Sequence, residues 1–253
     1  MAELPLLDDP WLVRHHPAPG SDLTLVCFPH AGGSASYFRP LAGALAPRVD
    51  VVSLQYPGRQ DRRNEPCIES VDGLADAITR ALRPLAGRPL AFFGHSMGAM
   101  LAFETARRLA AGQGTEPLGL VLSGRRAPRT VREENVHLRD DAGLIAEIQK
   151  LNGTDPALLV DEDILRMALP SLRADYTAVE TYVYREGPAL DCPVRVFTGA
   201  ADPQVNREEA ESWAEHTAST FAVRTFPGGH FYLSEHPGEV IAALVEELDD
   251  FRR

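Results

Sequence analysis

The sequence predicts an α/β fold: one core domain with a mostly parallel central sheet and helices on both faces. Short runs rich in Val, Leu and Phe alternate along the chain with longer stretches of helical period. Alternation of that kind implies parallel strands joined by crossover helices. Most of the runs are continuously apolar, as strands covered on both faces must be. A chain of 253 residues is also long enough to bury a substantial core.

Taken in order, the first strand is read in LTLVCFP, residues 23–29, and a helix follows over 37–46. VDVVSLQY (49–56) leads to a helix over 71–85, and PLAFFGH (89–95) runs into a helix over 97–111. LGLVLSG (118–124) is the next strand, and after it the rhythm breaks. No further strand is read until PVRVFTGA (193–200), which is followed by a helix over 207–217, the strand FAVRTFPG (221–228) and a helix over 239–251. The core is therefore expected in 1–124 and 189–253, with 125–188 as an insertion. That insertion opens with RRAPRTVREENVHLRDD and then shows helical pattern over 142–151 and 161–182, interrupted at Pro170. A long insert in a compact domain usually serves as a cap or lid.

Composition excludes several classes. A net charge of −11 opposes general nucleic-acid binding, which needs a basic surface. Nothing approaches the roughly 18 uninterrupted apolar residues of a membrane span. The first twenty residues have no basic start followed by an apolar stretch, which predicts a cytoplasmic protein without a secretory leader. Three widely spaced cysteines, Cys27, Cys67 and Cys192, match neither a disulfide framework nor a metal site, so reduced thiols and no metal are expected.

The chemistry concentrates at Gly94-His95-Ser96-Met97-Gly98, a G-x-S-x-G pattern set between a strand and a helix. That context is a nucleophile elbow, with Ser96 on a strained turn and glycines where side chains would strike the neighbouring strand and helix. A serine hydroxyl needs a base, and the base needs an acid to orient it. In the α/β-hydrolase order the acid and then the base follow the serine, each beyond the carboxyl end of a strand. Asp202, just after PVRVFTGA and fixed by Pro203, meets this condition. Asp191 lies at the wrong end of that strand, and Asp175 falls in the insertion, where a solvated side chain is expected. His230, on a glycine-hinged loop after the last strand, is the base. His216 is expected to meet the last carbonyls of its helix, and His95 to point away from the serine. The oxyanion hole takes one backbone N–H from Met97 and a second from the loop CFPHAGGS, from Ala31 or its neighbours His30 and Gly32.

Six separated stretches, CFPHAGGSASYFRPLA, VSLQYPGRQDRRNEP, FFGHSMGAMLAFETARRL, LVLSGRRAP, TGAADPQV and FPGGHFYL, resemble the type II thioesterases in the family's own order. The resemblance covers essentially the whole chain. It implies an α/β-hydrolase fold with a helical lid, acting on acyl groups carried by the phosphopantetheine arm of acyl or peptidyl carrier proteins. Stalled or misprimed units of a polyketide or nonribosomal peptide assembly line would be cleared in this way. It also implies Ser96, Asp202 and His230 as the triad, Ala31 and Met97 as oxyanion amides, and no resident cofactor; a monomer is expected. His30 and the apolar lid positions Leu144, Ile148, Leu165, Met167 and Leu169 become candidates for framing the acyl group. Arg59, Arg62 and Arg63 in one loop, and Arg125 and Arg126 at the start of the lid, become candidates for docking an acidic carrier protein. The alternatives are a medium-chain fatty acyl-carrier-protein thioesterase and a noncatalytic carrier-protein binding module.

Overall fold

In the computed structural model, which describes residues 8–113, 116–151 and 162–253, seven strands form one sheet in the order β1-β3-β2-β4-β5-β6-β7. The strands are β1 (Leu12–Val13), β2 (Thr24–Phe28), β3 (Asp50–Leu54), β4 (Leu90–His95), β5 (Gly119–Ser123), β6 (Val194–Gly199) and β7 (Phe221–Phe226). All neighbours pair in parallel except β1, which runs antiparallel to β3. The six expected strands lie where the apolar runs lie. β1 is additional, and at two residues it is too short to show a period.

Alternation along each strand divides the core into two layers. Val26 and Phe28 point to one face, where they meet Leu74 and Ile78 of α2 (Val71–Ala81) and Met100 and Phe103 of α3 (Met97–Gln113). Leu25 and Cys27 point to the other, toward α1 (Arg39–Leu45) and the C-terminal helix. Residues two apart share a face, so both layers need apolar side chains and each run reads as uninterrupted. A buried Leu, Val or Phe contributes about 1.5–3 kcal/mol relative to its exposed state, and these layers hold the bulk of that term.

Between β5 and β6 stand α4 (Asp141–Lys150) and α5 (Glu162–Glu180). Asp140 caps α4 by accepting from the Gly143 amide. α5 continues through Pro170 rather than breaking there; Pro170 lies on the exposed side. Val136, Leu144 and Leu172 form a small core of the insertion's own, against which Ala31 packs. Past β6, the expected helix over 207–217 divides into α6 (Arg207–Glu211), closed by the Asn206–Glu209 capping box, and a tighter 3-10 turn over Ser212–His216. α7 (Tyr232–Glu235) and α8 (Pro237–Asp250) end the chain.

β2 and β4 are neighbours whose following crossovers lead to opposite sides of the sheet. Their carboxyl ends flank the topological switch point, where open α/β sheets place ligands. The loops carrying Ala31 and Ser96 leave from this point.

Candidate active site

Ser96 has φ of +54°, in the left-handed region that costs a non-glycine residue about 1–3 kcal/mol. Its amide donates to the Ser123 carbonyl at 2.7 Å, which ties the turn to β5. The flanking glycines are sterically required. A Cβ on Gly94 would land on the Gly98 carbonyl, and one on Gly98 would land on the Phe28 carbonyl. Met97 begins α3, so its N–H is one of the orphan donors of a helix N-terminus, and the helix dipole there favours negative charge.

Asp202 follows β6 and His230 follows β7, and the two side chains are buried together. His230 Nδ1–H donates to the Asp202 carboxylate, 2.9 and 3.0 Å from its two oxygens. The Gln204 amide donates to Asp202 Oδ1 at 2.8 Å, which fixes the carboxylate from the other side. With Nδ1 committed, Nε2 is the nitrogen left to act as a base. His230, Ser96, Met97 and Ala31 all line one cavity of about 260 Å³.

Two more imidazoles stand close by. The His95 ring does not line the cavity, yet its centroid is 5.0 Å from that of His230, and its Nδ1 lies 2.9 Å from Ser123 Oγ. Ser123 Oγ in turn lies 2.6 Å from the Tyr232 hydroxyl. Burial, with His230 nearby, holds the His95 pKa well below its ordinary value. Burial likewise lowers His30, to about 3, with His230 and Arg59 adding to the effect. Both rings are neutral near pH 7, so a proton arriving on His230 meets no second imidazolium.

Several expectations are corrected. His30 does not line the cavity; its ring packs edge-on against Tyr37 and Phe231. Leu144 is fully buried inside the insertion's small core with Val136 and Leu172, and Ile148 and Leu169 pack against that core, where apolar side chains bury area against each other. Met167 points outward, 65% exposed. The Leu165 side chain lies outside the described residues. The cavity wall is instead mixed: beside Val136, Leu151 and Val179 it carries Glu134, Arg139, Glu147, Tyr176 and Glu180. Sequence reading missed these. The available signal was positional: a chain leaving β5 beside β4 must pass over Ser96, so REEN (132–135) was placed to form the wall.

The arginine clusters are corrected too. Arg59, Arg62 and Arg126 are buried, each anchored by a carboxylate: Asp175, Glu65 and Glu134 respectively. Asp175, expected in solvent, is 1% exposed. Burying an arginine is tolerable only with such pairing, and a guanidinium committed this way offers nothing to a partner's surface. Arg125 lines the cavity, and only Arg63 is exposed. His216 sits in an aromatic nest of Phe103, Trp213 and Tyr184 instead of capping its helix. Among the described residues no group of three or more His, Cys, Asp or Glu is placed to hold a metal ion, and no helix is long and apolar enough to cross a membrane.

The profile of the family described as Thioesterase domain matches residues 23–248. A probable cadicidin biosynthesis thioesterase of Streptomyces griseus is 54% identical over 238 residues, which are 94% of this chain and 66% of that protein. Thioesterase PikA5 of Streptomyces venezuelae is 49% identical over 240 residues, covering 94% of this chain and 85% of PikA5. Among solved structures, the type II thioesterase BorB from the borrelidin biosynthetic cluster matches with a TM-score of 0.89 at 48% identity, over 95% of this chain and 98% of BorB. The likeness read from six motifs thus extends over nearly the whole chain, which belongs to the thioesterase family and has the α/β-hydrolase fold.

Proposed function

We propose that this thioesterase hydrolyses acyl groups from the phosphopantetheine arm of acyl or peptidyl carrier proteins, clearing stalled or misprimed units from a polyketide or nonribosomal peptide assembly line. The likeness to biosynthesis-associated thioesterases supports the setting. The observation that carries the chemistry is the buried His230–Asp202 pair, opening on the cavity that Ser96 also lines.

In this reading His230 Nε2 takes the Ser96 proton as Oγ attacks the thioester carbonyl, and Asp202 holds the imidazole tautomer and supports the imidazolium. The amides of Ala31 and Met97 receive the oxyanion. Of the three candidates in the loop after β2, the Gly32 amide is occupied by Asp175 at 2.7 Å and His30 lies outside the cavity wall, which favours Ala31. Losing one such donor typically costs about 3–4 kcal/mol of transition-state stabilisation. His230 returns its proton to the departing pantetheine sulfur, a good leaving group with a thiol pKa near ~8.5. Water activated by His230 then releases the acid and restores Ser96. The phosphopantetheine belongs to the substrate, so the reaction needs no resident cofactor, and the insertion between β5 and β6 acts as the lid.

A hydrolysis panel of carrier proteins bearing different acyl groups, with Ser96→Ala as control, tests the reading. Turnover abolished in Ser96→Ala is expected. Failure to hydrolyse any carrier-bound thioester would overturn it.

A further inference from the structure

Arg125 follows β5 and Gly124, and its side chain lines the cavity that Ser96 and His230 share. Gly124 turns the chain with φ of +60°, and a Cβ there would meet the His230 ring at 3.3 Å. Arg125 therefore follows a turn packed against the base, and its side chain shares one cavity wall with Ser96 and His230.

The other ionised groups of the wall are matched. Glu134 is held by Arg126 at 2.5 Å and Glu147 by Arg139 at 2.8 Å. Glu180 accepts from the amides of Val136 and His137, each at 3.0 Å, and from the His137 ring. Glu133 is exposed to water. Arg125 differs. Among the described residues its guanidinium has no hydrogen-bonded carboxylate, and its Nε is buried without an acceptor. Burial, with Arg126 beside it, lowers its pKa to about 10, which still leaves it a cation near neutral pH.

Arg125 is half-buried, and a guanidinium that faces the cavity with its buried Nε unpaired gains from an acceptor that a ligand brings in. In a cavity adjoining the nucleophile, the acyl chain is the molecule that can. We infer that Arg125 determines specificity by donating to an oxygen on the acyl chain near the thioester carbonyl, so that hydroxy-, oxo- or carboxy-substituted acyl groups are preferred over saturated ones. This rests on the reading of the cavity as the acyl site. Sites built to hydrogen-bond a substrate oxygen discriminate strongly against analogues lacking it, because the buried donor is then left unpaired. The planar fork of arginine suits oxygen acceptors in a way a point charge does not.

The test uses N-acetylcysteamine thioesters of hexanoate, 3-hydroxyhexanoate, 3-oxohexanoate and methylmalonate, with wild type, Arg125→Met and Arg125→Lys. Wild type is expected to favour at least one oxygenated acyl group over hexanoyl by about tenfold or more in kcat/KM. In Arg125→Met that ratio falls toward one, and Arg125→Lys recovers part of it. Preference for methylmalonyl marks an anionic acceptor, and preference for the hydroxy or oxo group a neutral one; either supports the inference. A wild-type ratio near one, or a ratio unchanged in Arg125→Met, overturns it, and the wild-type ratio decides alone should the variants not fold. Absence of turnover on every thioester would instead overturn the proposed hydrolysis itself.

Discussion

Asp175 of α5 holds the Arg59 guanidinium with both carboxylate oxygens, at 2.7 and 2.9 Å, and also accepts from the Gly32 amide at 2.7 Å. One buried carboxylate thus joins the insertion, the loop after β3 and the loop after β2. Arg59 adds a bond to the Gly33 carbonyl at 3.1 Å. Burial alone would lower the Arg59 pKa; Asp175 outweighs it and holds the guanidinium above its ordinary value. Gly32 adjoins Ala31, so this clip fixes the segment that presents the proposed oxyanion amide.

Removing one partner should therefore affect both stability and rate. Asp175→Ala leaves a buried cation unpaired, which typically costs about 3–5 kcal/mol, or on the order of 10 °C in Tm for a chain of this size. Replacing both groups, as Arg59→Met with Asp175→Leu, should recover much of the Tm, because an apolar pair avoids the desolvation penalty. It should not recover kcat, since the Gly32 amide still lacks its acceptor. Thermal melts beside kcat and KM on one acyl thioester check this. A double variant with wild-type kcat would show that the clip serves stability alone.

The elbow glycines give a sharper contrast. Gly98→Ala drives a methyl into the Phe28 carbonyl, and both partners are backbone, so neither can move cheaply. We expect at least a hundredfold loss of kcat or failure to fold, since displacing a reacting group by about 1 Å costs on the order of 10²-fold. Gly112→Ala, near the end of the same helix with nothing within 4 Å of the added atom, should be neutral or stabilise by up to about 1 kcal/mol. Activity and melting temperature of the two variants side by side decide it.

The strands were legible because both faces of the sheet are covered, which leaves an uninterrupted apolar signature. The positions of Ser96, Asp202 and His230 were legible because strand-to-loop junctions can be located from those same runs. Pairings across long separations were not. Arg59 and Asp175 stand 116 residues apart, and nothing local to either marks it as buried. The insertion misled for a related reason: a periodic apolar face shows that Leu144 packs, without showing whether it packs on substrate or on Leu172.

Arginine substitutions separate burial from docking. Arg126→Glu puts a carboxylate beside Glu134 in a buried position and should cost about 3–5 kcal/mol. Turnover of a carrier protein and of an N-acetylcysteamine mimic should then fall together, with a lowered Tm. Arg63→Glu, on an exposed loop, should stay within about 0.5 kcal/mol of wild-type stability. If Arg63 steers carrier proteins, only the carrier-protein KM rises in that variant, and the rise shrinks with added salt. An equal effect on the KM of both substrates, or none on either, removes Arg63 from the docking surface.

Acid should destabilise the fold through histidines buried without charge. Burial lowers His216 to about 4, with Arg129 adding to the effect, and lowers His30 to about 3, while His95 falls well below its ordinary value. The unfolded chain binds these protons near pH ~6.5, so the stability they confer is fully present above that pH and is lost as pH falls toward the folded values. Each group adds a slope of about 1.4 kcal/mol per pH unit inside its window. His216 is the one to isolate, because it lies outside the cavity and its neighbours Phe103, Trp213 and Tyr184 would accept a phenyl ring. Denaturant melts of His216→Phe from pH 7 to 4.5 should show a shallower loss than wild type, by about one histidine's slope. The carboxylates titrate alike in both proteins, so the difference reports His216. Parallel curves would mean that its ring protonates in the folded protein as readily as in the unfolded chain.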